Sequence, residues 1–138
     1  EMQWMMLQQE KPDDFVIATG NQFSVREFII WTGEELGIEI EFQGSDLEEI
    51  GVIKSNNRNY FKDFNEGDVI VRVDKRYFRP SEVESLIGDP SKAKKLLKWK
   101  PEISARELCA EMVKADLEKA KKDSLLLSHG YTIDTFKE

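Results

Sequence analysis

The sequence contains few of the residues that build catalytic dyads, metal centres and cross-links. It has one cysteine, Cys109, and one histidine, His129, among 138 residues. A single cysteine excludes an internal disulfide and a cysteine zinc cluster, and it fits a reducing cytoplasm. No serine or cysteine nucleophile has a histidine partner other than this tail residue, and metal-ligand spacing is absent. We therefore expect no catalytic residue and no metal site in this chain.

Two motifs of nicotinamide-dependent enzymes are also missing. The eight glycines include no pair three residues apart, so a glycine-rich dinucleotide fingerprint cannot be written. Tyr-x-x-x-Lys does not occur either, because Phe64, Ser81 and Thr135 stand four residues after the three tyrosines. We expect no cofactor on this chain.

The charge and hydropathy patterns exclude two further classes of protein. The net charge of −7 argues against a nucleic-acid-binding surface, which needs a basic face. No apolar run approaches the ~18 residues of a membrane span, and the apolar cluster at residues 4–7 is too short for a signal peptide. With 40% hydrophobic and 34% charged residues, the chain is typical of a soluble globular domain. It begins with glutamate rather than methionine, which predicts that it starts inside a longer protein.

Apolar periodicity and capping signals predict an α/β fold. Residues 15–18 are a continuous apolar run, typical of a strand that is buried on both faces. Ser24 and Ser104, each followed by glutamate three residues later, are N-caps of capping boxes, and Gly37 ends the first of these helices. The elements expected are a well-buried helix at 1–9, a sheet from 15–18, 38–42 and 69–73, helices at 25–36 and 105–121, an irregular loop at 43–67 and a C-terminal tail at 123–138. Within the irregular loop, residues 51–54 are a candidate short strand.

Residues 76–101 contain the densest set of structural signals. Arg79 precedes Pro80, so the chain should turn there from an extended segment into a short helix over 81–87. Gly88 should end that helix. Asp89 as N-cap and Pro90 at the first helical position should begin another helix, with a buried stripe of Ala93, Leu96 and Leu97 and a stop at Pro101.

Arg79 and Glu82 are the candidate binding residues in this stretch. A guanidinium at a strand end and a carboxylate beside a helix start could hold a phosphate and a sugar hydroxyl. The alternative is a surface ion pair between the two. Arg26 has a similar ambiguity, since in the first turn of its helix it could point at an anion or be a solvated arginine.

The sequence resembles the extended short-chain dehydrogenase/reductase superfamily and, within it, the GDP-mannose 4,6-dehydratase family. The similarity covers nearly the whole chain except residues 43–65. Its segments are EMQWMMLQQEKPDDFVIATG, FSVREF, GDVIVRVDKRYFRP, FRPSEVESLIGDPSKAKKLLKWKPEIS and SLLLSHGY. The family implies two lobes, of which this single 138-residue lobe resembles the C-terminal, substrate-binding one. The N-terminal Rossmann lobe binds NADP, carries the catalytic residues and is missing here.

The resemblance also implies an activity for the whole enzyme. A hydride leaves the hexose C4 for NADP, water is eliminated across C5 and C6, and the hydride returns to C6, which gives GDP-4-keto-6-deoxy-mannose. By position, Arg79 matches the family arginine that contacts the diphosphate or ribose of GDP, and Glu82 matches the residue that contacts the ribose hydroxyls. The fragment alone is expected to be inactive. Loss of the partner lobe should expose apolar surface around Trp4, Met5 and Met6 and favour self-association, and the enzyme is expected to be a homo-oligomer.

Two other interpretations stay open at this point. The chain could be the lobe of another GDP-sugar reductase or epimerase on the same scaffold. It could also be a non-catalytic domain that binds a nucleotide sugar or a partner protein.

Overall fold

The α/β class is confirmed. The computed structural model describes residues 1–57, 63–79 and 86–133. In that part of the chain, four α-helices accompany a three-stranded antiparallel sheet with the strand order β1-β2-β3. The elements are α1 (Met2–Leu7), α2 (Val25–Leu36), β1 (Ile38–Gln43), a short 3₁₀ helix (Asp46–Glu48), β2 (Ile50–Asn56), β3 (Val69–Arg72), α3 (Ser91–Leu96) and α4 (Ala105–Ser128).

Local capping residues determine where the two long helices begin. The Ser24 hydroxyl accepts a hydrogen bond from the Glu27 backbone N–H, and the Glu27 carboxylate accepts one from the Ser24 N–H at 2.7 Å. Ser104 makes the same reciprocal pair at the start of α4. Gly37 ends α2 with a φ of 76°, in the left-handed region that glycine enters without strain. Both predicted capping boxes and the glycine C-cap are confirmed.

The sheet differs from the predicted one in its middle strand. β2 contains the short strand predicted at 51–54 within the irregular stretch 43–67, but it is longer and pairs with both β1 and β3. Val52 and Ile53 supply its buried side chains, at 7% and 1% exposure. The strand ends in polar residues, and a register shift between Gly51 and Val52 interrupts its alternation, so its full length and its place in the sheet are hard to recognise in the sequence.

The predicted strand at residues 15–18 is wrong, because the segment joins no sheet in the described part of the chain. No backbone hydrogen bond links it to any described residue. Val16 and Ile17 are 49% and 55% exposed, whereas a strand in the middle of a sheet would bury both. A strand requires a hydrogen-bonded neighbour along its edge, and no described strand pairs with this segment.

The buried apolar residues lie in two parts of the structure. Met2, Ala93 and Leu97 are buried together, with Met5, Met6, Phe15 and Trp99 packed against them. The remaining buried side chains include Ile38, Val52 and Ile53 on the sheet and Cys109 on α4, and α2 packs against both β1 and α4. The expectation that the first helix is well buried is wrong: Met2 is its buried residue, Met5 and Met6 are half-buried, and Trp4 and Leu7 are 65% and 82% exposed.

The C-terminal helices also differ in detail from the prediction. α3 has Pro90 at its N-cap and begins at Ser91, one residue later than expected, and Leu96 is 51% exposed rather than buried. α4 continues to Ser128, so the segment predicted as a tail from residue 123 is helical in its first six residues. Residues 81–85 of the predicted helix at 81–87 lie outside the described residues, and Leu86 and Ile87 are not helical.

Candidate functional site

A tight turn after β3 leads the chain to Arg79. The Tyr77 N–H donates to the Asp74 carbonyl at 3.0 Å. The Arg76 guanidinium donates to the Asp74 carboxylate at 2.8 and 3.1 Å and lies over the Tyr77 ring, 5.2 Å from its centroid. The side-chain hydrogen bond from Arg76 lowers the pKa of Asp74. The Arg76 side chain thus stabilises the turn. Arg79, the next arginine along the chain, is exposed.

The second candidate residue, Glu82, lies in the 80–85 segment, outside the described residues. The structure therefore does not test whether Arg79 and Glu82 come together. It does describe Leu86, the first residue after this segment.

The loop at residues 19–22 lies beside Leu86. The Gln22 side-chain oxygen accepts a hydrogen bond from the Leu86 N–H at 3.1 Å. Thr19 Oγ1 accepts from the Asn21 N–H at 3.1 Å, and Gly20 has a φ of 81°, so the turn is locally fixed. The loop consequently lies next to the point where the chain emerges from residues 80–85.

Gly88 allows the two segments to approach each other closely. A Cβ atom at this position would lie 2.6 Å from the Ala18 Cβ and 3.2 Å from a Val16 methyl carbon. Gly88 is not among the described glycines with positive φ. It is required here for close packing, and not for the left-handed helix end that the sequence predicted.

Lys92 makes a further link between the same two parts of the chain. Its ammonium lies 2.5 Å from the Asp13 carboxylate and 5.1 Å from the centroid of the Phe15 ring. The hydrogen bond from Lys92 lowers the pKa of Asp13. Residues 13–22 and 86–92 therefore run side by side, from the Asp13–Lys92 ion pair to the Gln22–Leu86 hydrogen bond.

Arg26 is not aimed at an open anion site. Its guanidinium forms an ion pair with Glu49 and lies over the Phe42 ring, 5.3 Å from the centroid. The structure thus supports neither of the two predicted roles of Arg26. Its side chain instead joins α2 to the segment after β1.

Other features of the described residues add no catalytic group. His129 caps the end of α4, with its Nδ1 2.8 Å from the Leu125 carbonyl oxygen. An open groove of about 470 Å³ lies beside Lys11, Asp13 and Phe15, and Arg79, Gln22 and Leu86 do not line it. Within the described ranges, no three acidic, histidine or cysteine side chains are placed to hold a metal ion. No helix in those ranges is long and apolar enough to cross a bilayer.

Sequence reasoning found Arg79 from its neighbour Pro80 but missed Gln22 and the packing role of Gly88. Both depend on contacts between segments more than 60 residues apart, for which the sequence carries no local signal.

The chain is similar to one family model and to several curated proteins. The family model described as GDP-mannose 4,6 dehydratase matches residues 1–112. The chain is 56% identical to the "GDP-mannose 4,6-dehydratase" of Yersinia enterocolitica, over 96% of this chain and 36% of that protein. It is 54% identical to the protein of the same name from Vibrio cholerae serotype O1, over 100% of this chain and 37% of that protein. The GDP-mannose 4,6 dehydratase of Dictyostelium discoideum is 46% identical over 88% of the chain. The chain thus spans little more than a third of the length of the curated bacterial relatives it matches.

Proposed function

The chain belongs to the GDP-mannose 4,6-dehydratase family, and we propose that it forms the GDP-binding part of an enzyme that converts GDP-mannose to GDP-4-keto-6-deoxy-mannose. The observation that carries this proposal is the extent of the similarity: relatives named for this activity are 52–56% identical over at least 96% of the chain. Such an enzyme is a hydro-lyase.

The proposed division of labour follows from which groups the chain contains. NADP, which supplies the hydride chemistry, would bind in a Rossmann lobe outside these 138 residues, because the chain has neither a dinucleotide fingerprint nor Tyr-x-x-x-Lys. The role of the present residues is to hold the nucleotide end of the substrate so that the hexose reaches that other lobe. The 138-residue chain by itself would then be inactive.

Arg79 and Glu82 are the residues proposed to bind GDP. Arg79 is exposed and follows a turn that Asp74 and Arg76 stabilise. A guanidinium there can donate two parallel hydrogen bonds to a diphosphate, and a carboxylate can accept from ribose hydroxyls. Loop 19–22, next to the end of the 80–85 segment, is where additional polar contacts would come from.

We also propose that the complete enzyme is a cytoplasmic homo-oligomer. The single cysteine is consistent with the cytoplasm, and the exposed apolar side chains of Trp4 and Leu7 are consistent with burial in an assembly.

A calorimetric titration of GDP tests the site. The variants are Arg79→Ala and, as a matched control of equal charge change three residues away, Arg76→Ala. Loss of a charge-assisted contact should weaken GDP binding about 10- to 150-fold in the first variant. Arg76→Ala should retain affinity to within a few-fold, because the backbone hydrogen bonds of the turn, from the Arg76 and Tyr77 N–H groups to Asp74, do not involve the guanidinium.

The same titration is repeated with the complete polypeptide. Equal affinities of wild type and Arg79→Ala there would contradict the assignment of Arg79. Conversion of GDP-mannose by the complete polypeptide with NADP tests the activity itself, and failure to convert it would reject the proposed function.

A further inference from the structure

The long helix α4 has apolar residues on two sides, and α2 covers one of them. On the covered side Cys109 is fully buried, with its Sγ 3.5 Å from Thr32 Oγ1. Leu108 and Met112 lie on another side, and each is 47% exposed. Successive residues are about 100° apart around a helix, so the packing of Cys109 against α2 leaves Leu108 open. The second apolar side of α4 is therefore available to a partner.

This second side has the residue spacing of a coiled-coil seam. Its residues follow one another at alternating intervals of four and three positions, which is the heptad repeat by which two helices pack side by side. The α4 seam consists of Leu108, Met112, Ala115, Lys119, Lys122 and Leu126. Leu126 is half-buried, and the other five residues are exposed. The seam extends along most of the helix and therefore fits a second helix that lies beside α4.

The charges along the α4 seam select the direction of that second helix. Lys119 and Lys122 lie in its C-terminal half, and Asp116 and Glu118 flank it near the middle. None of these four groups forms an ion pair with a described residue. A parallel copy of α4 would place each lysine beside the same lysine, which repels it. An antiparallel copy places each lysine beside apolar residues and their acidic neighbours, so the seam is complementary to itself in that direction.

We propose that the α4 seam is an interface between two copies of this polypeptide, whose α4 helices pack antiparallel around a two-fold axis at the level of Leu117. The facing pairs are then Leu108–Leu126, Met112–Lys122 and Ala115–Lys119. Each lysine stem covers an apolar side chain, and its ammonium reaches Asp116 or Glu118 of the other copy. A two-fold axis makes every such contact twice, so a self-complementary surface closes into a dimer. The inference rests on the proposed homo-oligomer and assigns one of its interfaces.

Sedimentation velocity of the complete polypeptide, with charges reversed on either side of the interface, tests the pairing. The two variants are Lys119→Glu/Lys122→Glu and Asp116→Lys/Glu118→Lys. Each variant alone brings like charges together across the seam, so dimerisation through α4 should weaken by about 100-fold or more and a smaller assembly should sediment. An equimolar mixture of the two variants restores opposite charges across the seam. The mixture should therefore sediment like the wild type.

A matched pair of apolar variants tests the same interface without changing its charge. Leu108→Gln and Leu127→Gln each replace a leucine of α4, and these leucines are 47% and 55% exposed. Leu127 follows the seam residue Leu126 and lies about 100° around the helix from it, outside the seam. Leu108→Gln should weaken dimerisation by about 10-fold, because its leucine is buried twice in the dimer. Leu127→Gln should leave dimerisation unchanged.

Three results would overturn the proposal: charge-reversed variants that sediment like the wild type, a mixture that does not recover the wild-type assembly, or equal effects of the two leucine variants. Charge-reversed variants that unfold at a lower temperature with unchanged sedimentation would show that another part of the same polypeptide covers the seam. The outcome is separable from the proposed homo-oligomer. A monomeric wild-type protein rejects both proposals, and an oligomer that the charge reversals do not change rejects the α4 interface alone.

Discussion

Gly88→Ala should destabilise the contact between residues 16–18 and residues 86–90. The added methyl group would lie 2.6 Å from the Ala18 Cβ and 3.2 Å from a Val16 methyl, where ordinary contacts are 3.4–4 Å. Residues 16–18 and 86–90 would have to separate by about 1 Å, because an alanine side chain has no other rotamer to adopt.

The size of the effect is the difference between two opposing contributions. Overpacking of this kind costs about 1–3 kcal/mol. Replacing glycine by alanine at a position without positive φ stabilises by about 0.4–1 kcal/mol through the unfolded chain. We therefore expect a net loss of about 0.5–2 kcal/mol in the free energy of unfolding.

Urea denaturation of the two single variants and the double variant Gly88→Ala/Ala18→Gly measures this loss. Removing the Ala18 methyl should restore part of the stability of Gly88→Ala, with a coupling of about 1 kcal/mol. The denaturant dependence should stay constant, so that midpoints can be compared directly. A Gly88→Ala protein as stable as the wild type, or additive effects in the double variant, would refute the close approach of these segments.

Three further predictions concern the sheet and the long helices. Gly33→Ala should destabilise by about 1–3 kcal/mol although alanine favours helices, because its Cβ would lie 2.8 Å from the Ile38 carbonyl oxygen, which belongs to the strand backbone. Ile53→Ala should cost about 2–5 kcal/mol, since Ile53 is 1% exposed. Hydrogen bonds at the N-cap lower the pKa of Glu107 from 4.5, so its stabilisation is complete above pH 4.5 and is lost as the pH falls through the lowered pKa. Glu107→Gln, which retains the hydrogen bonds, should therefore lose less stability in acid than the wild type.

Each of these predictions has a control or an outcome that contradicts it. Denaturation at neutral pH should rank Ile53→Ala below Ile53→Val, and equal stabilities would mean that the side chain is not packed as described. A more stable Gly33→Ala would show that the helix lies farther from the strand. Glu111→Gln, on the same helix, changes a carboxylate without a hydrogen-bond partner among the described residues. If Glu111→Gln reduces the loss of stability in acid as much as Glu107→Gln does, the capping explanation is rejected.

Local signals in the sequence predicted the long helices and two of the strands. Ser24 and Ser104 begin their helices where the capping-box pattern placed them, because the pattern acts within one helical turn. Gly37 likewise ends α2 and delivers the chain to β1. These interactions join residues a few positions apart, and a single sequence contains them in full.

Contacts between distant segments could not be predicted in the same way. The apolar run at 15–18 predicted a strand, but strand formation depends on a neighbouring edge that periodicity cannot supply. Gln22 accepts a hydrogen bond from Leu86, 64 positions away, and Gly88 leaves room for the Ala18 side chain. Neither role has a signal in the neighbouring sequence. Arg79 was identified from its neighbour Pro80, while its partnership with Glu82 stays a prediction.

A single residue, Gly37, connects α2 to β1, and this connection cannot change in length without displacing the strand. α2 ends at Leu36 and β1 begins at Ile38, whose side chain is 4% exposed and alternates with outward-facing Glu39. Because side chains alternate faces at every residue of a strand, one inserted residue would turn the inward set outward unless the whole strand slid along its partner. An insertion or deletion at this junction would therefore displace a whole strand, whereas a substitution of one of its exposed residues would not, so genes of this family should keep its length constant even where the exposed flanking residues diverge.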